Sequence, residues 1–274
     1  MIDVSVVIVN YNTFELTSRC IASVMENTKE VRFELIVVDN ASTECDPALF
    51  NKRWENIRVI KSDRNLGFAG GNNLGIRQSN GRFILLLNSD TWLTENSIKI
   101  TVEKMGQLRK PGFVGIRTVY PDQSLQYTCL FLPTLKNLLL RISFMTRVLQ
   151  RTRPYSLLSE DFSPEAIWGS YMFFDRELLS HFKDQKLDES FFMYHEDLLW
   201  CWQARKAGFK NYFIATTTFV HIFKGSQSDS DTRKRMNQQF DKNFELLEKR
   251  INGWTYPLYR ILKKIIGWKG QRKS

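Results

Sequence analysis

Four short apolar runs, each followed by a segment rich in asparagine and aspartate, occupy the first 90 residues and constrain the fold more than any other feature. Val4–Val9 is a β-branched run, as expected of a parallel strand covered on both faces. Phe33–Val38, Ile57–Ile60 and Arg82–Leu87 read as further strands. Phe14–Met25 has helical spacing, with Leu16, Cys20, Ile21 and Val24 on one side and Thr13 placed to cap it. This repeated strand–helix order predicts an α/β fold, an open and mostly parallel sheet with helices on both faces. Ligands bind such sheets outside the carboxyl ends of the strands. Those ends are Asn10-Tyr11-Asn12, Asp39-Asn40-Ala41-Ser42, Asp63-Arg64-Asn65 and Asn88-Ser89-Asp90. A sheet without a ligand has no need of so many polar residues along one edge.

Beyond residue 110 the alternation loosens. Phe113–Val119 reads as a strand, Pro121–Ser124 as a turn into another strand through Cys129, and Glu196–Lys206 as a helix stopped by Gly208. Asn211–His221 is a β-rich run ending on a histidine, Arg233–Arg250 a polar helix and Pro257–Trp268 an amphipathic one. A chain of 274 residues suits one large domain with a small appendage. The division expected is 1–230, with halves at 1–110 and 111–230, and a helical tail over 231–274.

The net charge of +10 is concentrated in that tail. From Arg233 to Ser274 there are 12 Lys and Arg against 3 Asp and Glu, whereas the rest of the chain holds 27 and 26. A nearly neutral body argues against nucleic acid as a partner, and the basic tail points to an anionic surface. No apolar run approaches the ~20 residues that span a bilayer, and the start lacks the pattern of a secretory signal. The cysteines Cys20, Cys45, Cys129 and Cys201 are scattered with no CxxC pair and read as reduced, cytosolic, metal-free thiols.

Taken in order, Val4–Asn12, Leu35–Ser42, Asn65–Asn73 and Leu85–Asp90 resemble the family 2 glycosyltransferases, and within them a bacterial rhamnosyltransferase-like branch. The resemblance covers about residues 1–226 and preserves the order and spacing of separate blocks. It implies a GT-A fold and an inverting transfer from a nucleotide sugar, assisted by Mg²⁺ or Mn²⁺. Asp90 then matches the metal-holding end of a DxD-type signature, with Asn88 in place of its first carboxylate and placed to bond the sugar or a metal-bound water. Such hard cations prefer oxygen ligands and bridge diphosphates. The plain structural alternative is a turn that caps a helix from Glu95.

Asp39 matches the residue that reads the base. A carboxylate acceptor suits the N3–H of uracil or thymine, hence UDP or dTDP rather than GDP; the alternative is an Asx-turn with Ala41-Ser42. The donor-binding set expected from these blocks is Asn10, Tyr11, Asn12, Asp39, Asn40, Ser42, Asn65, Gly67, Gly70, Asn72, Asn88 and Ser89. Asn65–Asn73 reads as a glycine-rich loop approaching the nucleotide sugar, and its glycine spacing does not match a dinucleotide fingerprint.

Leu187–Trp202 resembles the family's acceptor-side segment, in which an acidic pair opens a helix. Asp197, with Glu196 behind it, is the expected general base for the acceptor hydroxyl; simple complementation of the helix dipole is the alternative. Trp168-Gly169-Ser170 resembles the acceptor loop, with Trp168 either stacking on a sugar or packing in the core. His221, before Gly225-Ser226, matches a position that can complete the metal site. The acceptor implied is a hydroxyl of a glycan or glycolipid used in cell-surface polysaccharide.

The tail interleaves apolar and basic residues, with Leu258, Ile261, Leu262, Ile265 and Ile266 on one helical face, and Leu138–Gln150 is similar in kind. It suits the inner face of a membrane, with docking on the protein's own core or on a second subunit as the alternative. Two competing readings of the whole chain are a sugar-nucleotide nucleotidyltransferase, which would place a glycine-rich phosphate loop where Asn10-Tyr11-Asn12 stands, and a non-catalytic membrane-surface module, which leaves the polar strand ends unexplained.

Overall fold

The first four apolar runs form the strands β1 (Val4–Asn10), β2 (Phe33–Asp39), β3 (Ile57–Lys61) and β4 (Phe83–Asn88) in a computed structural model that describes residues 2–142, 159–222 and 230–267. Gly225-Ser226, the continuation of the apolar stretch from 143 to 150, and the tail from Trp268 lie outside the described residues. The remaining strands are β5 (Thr91–Leu93), β6 (Pro111–Val119), β7 (Leu125–Gln126), β8 (Cys129–Leu130), β9 (Ala166–Ile167), β10 (Tyr171–Asp175) and β11 (Lys210–His221). The helices are α1 (Phe14–Asn27), α2 (Ala48–Arg53), α3 (Gly67–Arg77), α4 (Ser97–Met105), α5 (Leu135–Ile142), α6 (Glu196–Lys206), α7 (Ser230–Asn252) and α8 (Tyr256–Ile265).

The main sheet runs β3-β2-β1-β4-β10-β6-β11-β5, with β7 added to β6, and β8 pairs with β9 in a small second sheet. The strands β1 to β4 are parallel, as the continuous apolar runs require; β10 enters antiparallel between β4 and β6, and β5 antiparallel on β11. Register levels the strand ends: Asn10 pairs with Asp39 and Val9 with Asn88.

The two-residue repeat of a strand sends alternate side chains to opposite faces. Val7, Ile36, Val38, Ile84 and Leu86 pack in the cluster that includes Ile76 of α3 and Leu199 of α6. Val6, Ile8, Leu35, Val37 and Leu85 pack with Ile21 of α1 and Ile98 of α4. Each such side chain contributes about 1.5–3 kcal/mol when fully buried, so the central strands are rigid supports for whatever their ends carry.

Two local expectations are corrected. The glycine-rich stretch is the start of α3 and not a loop. A Cβ on Gly75 would lie 2.4 Å from Val7 Cγ1, and one on Gly71 2.9 Å from Val9 Cγ1, so these glycines let the helix lie close on β1. A Cβ on Gly67 would fall 2.2 Å from the Phe192 carbonyl oxygen and one on Gly70 2.8 Å from Leu66 Cβ, which assigns Gly67 and Gly70 to packing. Thr13 also does not cap α1 with its side chain. The Phe14 N–H donates to Glu44 Oε1 instead, at 2.5 Å, and the Thr13 hydroxyl joins the strand-end network described below.

Candidate active site

At the end of β1, Asn10 is fully engaged by the protein. Its amide donates to Asp39 Oδ1 at 2.9 Å and to Ser42 Oγ at 3.0 Å, and its Oδ1 accepts from Thr17 and Thr13 at 2.8 and 3.1 Å. The second Asp39 oxygen accepts the Ser42 N–H at 3.2 Å, so the Asx-turn forms, and the side chain is enclosed. Asn40 is equally occupied: it donates to Asn65 Oδ1 and the Gly67 carbonyl and accepts from the Leu66 N–H, stapling the start of α3 to the end of β2. Asn72 is buried and donates to the Phe68 carbonyl. Asn10, Asn40, Asn65 and Asn72 therefore build the walls, whereas Tyr11 stands exposed beside them. Asn12 and Ser42 tie the two loops together, through the Asn12 N–H to Ser42 Oγ at 3.0 Å and the Thr43 N–H to Asn12 Oδ1 at 2.8 Å.

The Asn88-Ser89-Asp90 turn leads into β5 and not directly into a helix, so it caps nothing; α4 begins later, at Ser97. Beneath the turn, Thr91 donates its hydroxyl to the Asn88 carbonyl at 2.7 Å, and the Cys20 thiol points at the same oxygen at 3.5 Å. Burial pushes that thiol up to about 12, which keeps it a neutral packing group. Thr13 reaches Ser89 Oγ at 3.2 Å. Asn88 Oδ1 is buried and, among the described residues, has no hydrogen-bond partner; a buried acceptor of that kind is costly unless something else fills the place.

Pairing of β5 with β11 sets His221 opposite Thr91 and brings His221 Nε2 to 3.3 Å from Asp90 Oδ1. Gln126 fixes the ring. Its amide donates to the His221 carbonyl at 2.6 Å, which leaves Oε1 facing Nδ1 at 3.1 Å. Nδ1 thus carries its hydrogen and Nε2 is the nitrogen presented to Asp90. Gln126, on a strand of two residues, was missed by sequence reasoning; no periodic signal marks it.

The described residues contain no group of three or more His, Cys, Asp or Glu able to hold a metal alone. One carboxylate, one oriented imidazole and an unpartnered amide oxygen fit a cation that takes most of its ligands from a diphosphate and water, the usual habit of Mg²⁺ and a workable one for Mn²⁺.

Residues 168–170 join this turn to the acidic pair. The Asn88 N–H donates to the Ser170 carbonyl at 3.1 Å, and the Gly169 N–H donates to Asp197 Oδ2 at 3.1 Å. A Cβ at Gly169 would make only ordinary contacts, 3.4 Å from Phe68 and 3.5 Å from Asp197 Cβ, so the position sits against the acidic pair without requiring glycine. Asp197 Oδ1 accepts the Leu198 N–H at 2.9 Å at the start of α6, which also satisfies the helix dipole. Glu196 and Asp197 are both buried, and Trp168 is half-buried.

The approach to α6 is strained: Tyr194 and His195 have φ of 74° and 72°, a left-handed conformation costing about 1–2 kcal/mol per non-glycine residue. Helix α7 holds it in place. Its Phe240 and Phe244 rings lie 4.2 and 5.0 Å from the His195 ring, and Asn243 donates to the Met193 carbonyl at 2.8 Å. From the other side, Asn73 of α3 donates to the Leu187 carbonyl and Glu189 and accepts the Leu187 N–H. Strand ends, the Asn88-Ser89-Asp90 turn, residues 168–170 and the acidic pair are thus connected.

Residues 5–182 match the family model described as Glycosyl transferase family 2. The chain is 25% identical over 287 residues to the low-salt glycan biosynthesis hexosyltransferase Agl10 of Haloferax volcanii, covering 97% of this chain and 83% of that protein. It is 36% identical over 119 residues to an uncharacterized glycosyltransferase of Rickettsia bellii, where the match covers 43% of this chain and only 16% of that protein. Among solved structures, TarS 1–349 of S. aureus superposes with a TM-score of 0.60 at 15% identity, covering 97% of this chain and 71% of that one. The mannosyltransferase PcManGT of Pyrobaculum calidifontis, solved with GDP-Man and Mn²⁺, superposes with a TM-score of 0.59 at 16% identity, covering 98% and 76%. The sheet order, its flanking helices and these likenesses give the GT-A type of fold, and the chain belongs to glycosyl transferase family 2.

Proposed function

We propose that the protein transfers a sugar from a nucleoside diphosphate donor to an acceptor hydroxyl with inversion, in the synthesis of a surface glycan. The single observation that carries this reading is the bridge through residues 168–170, which bonds the Asn88-Ser89-Asp90 turn at one end and Asp197 at the other. A donor seated on the first and an acceptor held by the second would meet over Gly169.

The roles follow from the chemistry of each group. Asp90 and His221 would hold a divalent cation on the diphosphate side, and such a cation would supply charge neutralisation for the leaving diphosphate. Asn88 Oδ1 accepts from a sugar hydroxyl. Tyr11 stacks on the base, and Asp39, oriented by Asn10, accepts from its N3–H, which favours UDP or dTDP; the branch resemblance favours dTDP-rhamnose. Trp168 and Gly169 bound the acceptor. Asp197 takes the acceptor proton as the new C–O bond forms at the anomeric carbon and the bond to the diphosphate breaks, with Glu196 next in line. Both Asp197 oxygens accept backbone N–H bonds, which aims the carboxylate and leaves a lone pair on each for the acceptor.

A thermal-shift panel of UDP-, dTDP- and GDP-sugars with Mn²⁺ or Mg²⁺ identifies the donor, and release of the nucleoside diphosphate then reports turnover. Asp90→Ala and Asp197→Ala are each expected to lower turnover by about 10²–10⁴-fold. Indifference of turnover to both substitutions would contradict the reading.

A further inference from the structure

The last helix sits on the protein by its polar side. Tyr259 of α8 is buried and donates its hydroxyl to Glu248 Oε1 at 2.8 Å, and Lys263 Nζ reaches the two oxygens of the same carboxylate at 2.7 and 2.8 Å. The helical repeat places Leu258, Ile261 and Ile265 on a stripe turned away from these anchors. They are 51%, 57% and 73% exposed, and Trp254, at the corner between α7 and α8, is 93% exposed. A helix that packs for stability alone does the reverse, burying its apolar stripe.

The adjoining helix buries Leu138 but adds to the same exposed apolar surface. α5 packs against α8 and leaves Leu139 and Leu140 exposed. Between α5 and the end of α7, Leu135, Leu139, Leu140, Ile251 and Thr255 line a largely apolar furrow of about 780 Å³. Its floor is built in: Asn252, buried at the end of α7, donates to the Pro133 carbonyl and accepts the Leu135 N–H.

Charge decides what covers this surface. Arg260 and Lys264 on α8 and Lys136 on α5 are exposed on the same two helices. No acidic residue occurs between Gln123 and Ser159, and the segment from Arg233 holds 12 basic residues against 3 acidic. A second copy of the chain would set one cationic rim against another, which is repulsive. Lipid phosphates satisfy such a rim, and an indole side chain prefers the depth just beneath them.

We propose that α5 and α8 form a docking surface for an anionic lipid bilayer. Trp254, Leu258, Ile261 and Ile265 enter the headgroup–acyl boundary, and Arg260 and Lys264 meet the phosphates. Because α7 carries both Glu248, which seats α8, and Phe240 and Phe244, which clamp His195, the docking surface and the acidic segment are fixed to one helix.

The test is flotation of the full chain with vesicles of equal parts phosphatidylglycerol and phosphatidylcholine, beside vesicles of phosphatidylcholine alone. Wild type floats with the anionic vesicles and at least about fivefold less with the neutral ones. The double substitution Ile261→Glu with Ile265→Glu, at exposed positions, weakens partition by about tenfold or more. Arg260→Gln with Lys264→Gln weakens it on anionic vesicles alone, and both variants keep the wild-type unfolding temperature. The proposal is overturned if wild type does not float, if it floats equally with both vesicles, or if the Ile261/Ile265 variant floats like wild type. It is also overturned if wild type is a dimer that this variant dissociates, for then a second copy covers the face.

Discussion

Single residues divide here by whether the protein has already used their hydrogen-bonding capacity. Asn10 and Asn40 have partners for both amide hydrogens and for the carbonyl oxygen, so they position their neighbours, whereas Asn88 Oδ1 is buried with no partner among the described residues. The same logic gives Gln126 a role, because its two bonds to His221 decide which ring nitrogen faces Asp90. Replacing it by methionine is expected to weaken Mn²⁺ binding about 10–100-fold, measured by the loss of free-ion signal in electron paramagnetic resonance, with the donor nucleotide present. Unchanged affinity would remove Gln126 from the account. The meeting of Asp90 with His221 was foreseeable from the sequence, because Asp90 follows one strand and His221 ends another, and strand ends gather along one edge of this kind of sheet. Gln126 was not, because its strand is too short to show a period, and neither was the occupied state of Asn40, since a hydrogen-bond partner 25 residues away leaves no local trace.

At the scale of elements, the contact of α3 with the sheet and the seating of α6 do most to shape the site. Gly75→Ala would place a methyl group 2.4 Å from Val7 Cγ1, and overpacking of that kind costs about 1–3 kcal/mol in urea unfolding. Gly208→Ala meets nothing within 4 Å and bears only the cost of its φ of 88°, about 1 kcal/mol. Equal effects would contradict the packing role given to α3. The sequence showed the glycines but not that they were helical, because close helix–sheet approach and a ligand loop ask for the same residue. It showed the acids that open α6, but not the left-handed pair Tyr194-His195 that aims them; nothing in a Tyr-His dipeptide announces φ > 0, and α7, distant in sequence, enforces it.

A pH effect belongs to the same elements. Burial of Asp188 would raise its carboxyl, but the Ser190 hydroxyl and N–H, the Arg250 guanidinium and Gln203 outweigh burial and hold it below the usual value. A carboxyl lowered by folding contributes stability that is present above about pH 4 and is lost as pH falls through its folded value. Wild type should therefore lose more stability than Asp188→Asn as the pH is lowered below about 4. Equal losses in acid titrations of unfolding would show that Asp188 does not fasten the 187–190 segment to α7.

For the whole molecule, the order of alternating strands and helices gave the parallel half of the sheet, because local periodicity and handed crossovers leave few alternatives. The antiparallel β10 between β4 and β6 could not be read, since strands far apart in sequence pair there without a local signal. The basic segment was legible as amphipathic, yet only the structure showed that Phe244 and Leu247 of α7 join the core while α8 turns its apolar stripe outwards. The central claim is that the Asn88-Ser89-Asp90 turn holds the donor diphosphate through a cation while Asp197 serves the acceptor. Calorimetric titration of UDP and dTDP, with and without Mn²⁺, tests it most directly and needs no knowledge of the acceptor. One of the nucleotides should bind wild type only when Mn²⁺ is present, about tenfold or more weakly to Asp90→Ala, and with unchanged affinity to Asp197→Asn. Equal binding to wild type and Asp90→Ala, or binding indifferent to the metal, would contradict the account.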